Sequence, residues 1–125
     1  MSLPYILSIG LGGALGSIAR FGISHLINGS YPAGTLMVNV LGSFLLGSLF
    51  AASKAGTIAE NSPAFAFAAI GFCGAFTTFS TFSLEVFKLY SQGQAIAAVG
   101  HICANFALTL IAVFTSIFIV SNTLR

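Results

Sequence analysis

Apolar residues fill four stretches of the chain, 4–27, 33–53, 63–87 and 94–122, with short polar or turn-forming segments between them. Each stretch meets the requirement of about 20 residues for a helix that crosses a bilayer. The first is followed by neither a small-residue cleavage site nor a polar mature domain, so it reads as a span and not a signal peptide. The pattern predicts an all-α membrane protein, with one four-helix transmembrane domain over residues 1–125 and no room for a soluble domain.

Polar residues inside these stretches carry the chemistry. Gly74 to Ser83 places five hydroxyl residues and three phenylalanines within the third stretch. Hydroxyls at membrane depth need partners, and a run this dense exceeds what its own helix can satisfy. A break in the third helix is therefore expected near its middle. A break lined with carbonyls, hydroxyls and aromatic edges is one way to carry a small ion across lipid.

The second stretch aligns Thr35, Asn39 and Ser43 at i, i+4 and i+8, on one helical face. The fourth repeats this with His101, Asn105 and Thr109. Two facing stripes of this kind suggest a polar track between helices. Asn39, near mid-span, suits either an interhelical hydrogen bond or donation of an N–H to an anion in transit. Phe79 and Phe82, at i and i+3, suit lipid or core packing or an aromatic wall. On the first stretch, Gly12 and Gly16 form a small-xxx-small pair that admits close helix packing. Arg20 either lines an aqueous vestibule or snorkels to headgroups. Glu85, the only acid inside a stretch, either pairs with Lys88 at a helix end or titrates in a proton-coupled exporter.

Composition sharpens the class. Of 125 residues, 57% are hydrophobic and 5% charged, against roughly 25% charged in soluble domains; the mean hydropathy is +1.02. A net charge of +2 is too small to suggest nucleic-acid binding. Cys73 and Cys103 lie inside spans without a ligand cluster, as small apolar residues do. No catalytic constellation is present, which argues against an enzyme. Four spans put Lys54, Arg125 and the terminal amine on one side, with Arg20 and Lys88 toward the other. The Lys/Arg count is thus nearly balanced. That allows either insertion in both orientations with antiparallel self-pairing, or a single topology with a weak bias.

Three segments carry a resemblance: Gly12 to Phe21, Gly34 to Asn39, and Gly74 to Phe82. Together they closely resemble the signatures of the Fluc (CrcB) fluoride channels, over nearly the whole chain, and Thr-Thr-Phe-Ser-Thr-Phe is the most specific of them. Ala75 stands where the family often has a second glycine. The resemblance implies an antiparallel, dual-topology homodimer with two fluoride pores and a structural Na⁺ at the dimer centre. The Na⁺ would be held by the backbone carbonyls of Gly74 and Thr77. Phe79 and Phe82 would present ring edges to the anion, Asn39 would donate a hydrogen bond, and Arg20 would line the vestibule. His101, Asn105 and Thr109 occupy the places of a polar track commonly built from Tyr and Ser. The hydroxyls of Thr35, Ser80 and Thr81 are further pore candidates.

Physical chemistry is consistent with this. A pore for strongly hydrated fluoride must supply replacement donors, and amide N–H and hydroxyl groups do so. Aromatic edges carry the positive part of the ring quadrupole, and a broken helix frees carbonyls for a cation. The expected function is passive, fluoride-selective export of F⁻ across a microbial inner membrane, relieving toxicity after HF enters as a weak acid. The expected partners are fluoride, a second copy of the chain and lipid. The rival is a small dual-topology proton-coupled exporter using Glu85.

Overall fold

Four helices long and apolar enough to cross a membrane make up most of the protein, and the described residues contain no strand. The computed structural model describes residues 2–27, 29 and 31–124. Arg125 and the terminal amine, part of the expected charge balance, lie outside the described residues. Helix α1 spans Leu3–Ile27 and α2 spans Ala33–Lys54. The third span, Pro63–Ser91, is composite. It opens with α3 (Pro63–Phe65), widens into a π-helical stretch (Ala66–Cys73) and tightens again in α4 (Gly74–Phe76). After two extended residues, Thr77 and Thr78, it resumes as α5 (Phe79–Ser91). The chain ends in α6, Ala95–Thr123.

Local sequence sets the helix ends. Ser62 caps α3 by accepting the Phe65 N–H at 3.1 Å, and Pro63 at the first helical position gives up no hydrogen bond there. Thr78 caps α5 in the same way, its hydroxyl accepting the Thr81 N–H at 3.1 Å. Gly56 and Gly93, each with φ of 76°, turn the chain out of α2 and α5 in the left-handed region that disfavours side chains.

Packing follows small residues. Gly12 and Gly16 of α1 lie directly against the π-helical stretch, where a Cβ would strike the carbonyls of Phe67 and Phe72. The small-xxx-small pair thus serves close helix approach, as its spacing predicts. Helices α2 and α6 form a second intimate pair, and α5 leans on α6. Large apolar side chains such as Leu11, Ile18, Phe114 and Phe118 are exposed, while Thr35, Asn39, Thr78, His101, Asn105 and Ser116 are buried. Apolar outside and polar inside is the arrangement of a protein dissolved in lipid.

Candidate functional site

The gap between α4 and α5 is held from the side by α2. Asn39 Oδ1 accepts the Thr78 N–H at 2.8 Å, and Asn39 Nδ2 donates to the Thr78 carbonyl at 3.2 Å and to Asn105 Oδ1 at 3.0 Å. Both amide hydrogens are thereby engaged. Of the two uses open to Asn39, the interhelical one is what this structure displays.

The break also redirects donors. In an unbroken helix the Thr78 and Thr81 N–H groups would serve the carbonyls of Gly74 and Thr77, four residues back. Here Thr78 N–H goes to Asn39 and Thr81 N–H to the Thr78 hydroxyl. Those two carbonyls lose their helical donors because Asn39 and Thr78 compete for them.

Beside the break lies a cleft of about 250 Å³. Its walls include Asn39, Ser43, Thr77, Thr78, Phe79, Phe82, Asn105, Phe106 and Thr109. Thr77 and Thr109 spend their hydroxyl hydrogens on backbone carbonyls, of Cys73 at 3.0 Å and Asn105 at 2.6 Å. The Ser43 hydroxyl has no hydrogen-bond partner among the described residues. Phe82 is buried at 5% exposure, whereas Phe79 is 70% exposed at the open side.

A polar network continues from the cleft toward the segment before α2. Asn105 Nδ2 donates to the His101 carbonyl at 3.1 Å. His101, fully buried, faces Glu85 Oε2 through Nε2 at 3.3 Å and the Tyr31 hydroxyl through Nδ1 at 3.0 Å. The Thr35 hydroxyl donates to Glu85 Oε1 at 2.6 Å. Burial, and then the Glu85 carboxylate, push the Tyr31 phenol above its ordinary value of 10.0, so it keeps its proton.

The structure therefore gathers Asn39, Thr77, Phe79, Phe82, Asn105 and Thr109 around one cleft, with Thr35 and His101 one turn further along the same faces. Ser80 and Thr81 are exposed and do not line it; their hydroxyls lie within hydrogen-bond reach of Thr78 Oγ1 instead. Arg20 is half-buried on α1, one turn beyond Gly16, away from the cleft and without an ion pair among the described residues. Gly74 is exposed on α4. Glu85 does not pair with Lys88: it faces inward on the side of α5 that buries Phe82 and Leu89, and Lys88 points outward. The i, i+3, i+7 spacing of Phe82, Glu85 and Leu89 is the sequence signal for that orientation. Tyr31 and Phe106 are site residues that sequence reasoning missed. Phe106 falls outside the polar stripe, and Tyr31 lies in a connecting segment where no periodicity operates.

Fold and site together define a multi-pass helical membrane protein with a polar cleft between its spans. Residues 7–117 match the family described as "CrcB-like protein, Camphor Resistance (CrcB)". A relative from Idiomarina loihiensis, named "Fluoride-specific ion channel FluC", is 38% identical, covering 98% of this chain and 97% of the relative. Relatives of the same name from Shewanella pealeana (42% identical, 87% and 90% covered) and Thermococcus kodakarensis (43%, 91% and 94%) are similar. The chain belongs to the CrcB family.

Proposed function

We propose that the protein is a fluoride-selective passive channel, not an enzyme, that exports F⁻ and so relieves fluoride toxicity. The observation that carries this reading is the cleft itself. It joins amide, hydroxyl and aromatic groups at a helix break, in a chain whose relatives are named fluoride channels along nearly their whole length.

The finer reading is an antiparallel homodimer in a microbial inner membrane. A polar-lined cleft open on one side is costly to leave against lipid tails. A second copy laid over Phe79 would close it and complete the path with its own rings. The near-balanced charges favour insertion both ways round. A structural Na⁺ fits the break, because the carbonyls of Gly74 and Thr77 have lost their helical donors to Asn39 and Thr78. No group of three or more His, Cys, Asp or Glu side chains suited to a metal exists among the described residues, so the cation would rest on backbone oxygen. Bound there, Na⁺ would offset the repulsion between neighbouring anions.

The test is fluoride efflux from liposomes containing only the purified protein, at equal pH inside and out, with chloride as control. The channel reading expects flux that a potassium ionophore accelerates and chloride does not share. Flux that demands a proton gradient and ignores the ionophore would instead identify a coupled exporter working through Glu85.

A further inference from the structure

Helix α2 meets the break at three cleft-lining positions of one helical face, Asn39, Gly42 and Ser43. Asn39 grips Thr78 by two hydrogen bonds. Gly42 meets the residue before it. A Cβ at Gly42 would strike the Thr77 methyl group, Cγ2, and would come within 3.1 Å of Phe76 Cδ1. The space that a side chain would need at Gly42 is thus taken by one methyl group of Thr77.

Thr77 cannot give way cheaply. Its N–H and its hydroxyl both donate to the Cys73 carbonyl, at 3.1 and 3.0 Å. The hydroxyl bond selects one rotamer of a β-branched side chain whose χ1 is already stiff, and that rotamer brings Cγ2 against α2. Turning the methyl aside gives up the bond.

Neighbours confine the rest. Phe76 is buried and stacked on Phe72, with ring centroids 5.3 Å apart. On its far side α2 is packed against α6, where Asn39 donates to Asn105 at 3.0 Å and Gly47 lies too close to Ser116 and the Val113 carbonyl to admit a Cβ. Extra volume between α2 and the break therefore falls on the Thr77–Thr78 peptide, pushed off at Thr77 and held by Asn39 at Thr78. That peptide carries the Thr77 carbonyl, one of the two that the break deprives of helical donors.

We propose that Gly42 is a positioning residue for the fluoride path, acting through Thr77. The missing side chain on α2 and the threonine methyl form a size-matched pair that fixes where the Thr77 carbonyl points. This inference rests on the channel reading and adds to it a residue with no side chain to offer an ion.

The experiment measures fluoride efflux from proteoliposomes, per folded protein taken from the monodisperse fraction, for the wild type, Gly42→Ala, Thr77→Ser and the two substitutions together. Thr77→Ser deletes Cγ2 and keeps the hydroxyl that bonds Cys73. Gly42→Ala is expected to lower flux on the order of ten- to a hundredfold, the scale of a small misplacement in a rigid site. In the Thr77→Ser background the same substitution is expected to cost less than about threefold, whatever Thr77→Ser does alone. Gly47→Ala supplies the contrast, because it overpacks the same helix against α6 instead of the break. It is expected to lower the unfolding midpoint, with flux per folded protein within about twofold of wild type and no rescue by Thr77→Ser. Wild-type flux in Gly42→Ala, or an equal loss with and without Thr77→Ser, would overturn the pair and leave the channel standing. So would a Gly47→Ala variant that loses as much flux per folded protein as Gly42→Ala, or that Thr77→Ser rescues. If Gly42→Ala alone yields no folded protein, the double variant decides: folded, conducting protein upholds the pair, and anything less overturns it. No fluoride flux from the wild type would remove the channel reading and this role with it.

Discussion

Asn39 and Thr78 are joined by two hydrogen bonds, the amide side chain on α2 accepting from the Thr78 N–H at 2.8 Å and donating to its carbonyl at 3.2 Å. The side chain thus does for one extended residue what a neighbouring strand would do, and it does so at a buried position. Helix breaks in lipid persist only where such partners exist.

Asn39→Ala removes both partners at once. It leaves a buried N–H and C=O unpaired, for which about 1–3 kcal/mol of destabilisation is expected. Thermal unfolding in detergent should show the loss, and fluoride flux should fall because the break no longer holds its shape. An unchanged melting temperature would mean that the break is held by its own backbone.

Phe79 and Phe82 sit on opposite sides of a line between structure and path. Phe82 is buried against His101 and Phe106, and Phe79 is exposed at the cleft mouth. Phe82→Ile should cost about 1–2 kcal/mol in packing, whereas Phe79→Ile should leave unfolding within about 0.5 kcal/mol of wild type. Both should suppress flux, since neither aliphatic side chain offers an aromatic edge to an anion. Full flux in Phe79→Ile, measured beside normal melting, would reduce that ring to a lipid contact.

Ser43 is the hydroxyl on the cleft wall that has no protein partner among the described residues. An anion passing through is the natural acceptor for it. Ser43→Ala deletes one neutral donor and breaks no existing bond, so stability should hold. Flux should drop about two- to tenfold, as expected for roughly 0.5–1.5 kcal/mol of lost stabilisation. Flux equal to wild type would show that the hydroxyl faces the cleft without serving the ion.

Parts of this arrangement were legible in the chain. The i, i+4 spacing of Thr35 with Asn39 and of His101 with Asn105 predicts two facing stripes, and Asn39 and Asn105 do bond across the gap at 3.0 Å. The dense hydroxyl run predicts a break near the middle of the third helix, because a helix cannot satisfy so many side chains and its own ladder together, and the structure puts the extended residues at Thr77 and Thr78. The π-helical stretch was not legible. It contains no proline or polar interruption, and lies where Gly71 meets the backbone of Ile9, Gly12 and Gly13, a tertiary approach that no local pattern encodes. Glu85 was ambiguous for a related reason: Lys88 is its neighbour in sequence, yet the helical face shared with Phe82 and Leu89 turns it inward to His101. Tyr31 meets His101 across 70 positions of sequence, and only the folded chain brings them together.

The remaining prediction tests the proposed antiparallel dimer. With 4 Lys and Arg residues in 125, few charges tie any one loop to one side, and the proposed antiparallel dimer requires that this near-balance let the chain insert either way. An antiparallel pair needs both orientations in one membrane. Two lysines added at the N-terminus should fix a single orientation, and that variant alone should lose fluoride flux because its partner never appears. A second variant, with the lysines moved to the connection between α1 and α2, should insert the other way round and also be inactive alone. Expressed together, the two should form the missing pair and restore flux to the wild-type range. Accessibility labelling of single cysteines at the loops checks that each variant is locked as intended. Full flux from either locked variant alone would mean that the cleft is completed by a parallel partner or needs none.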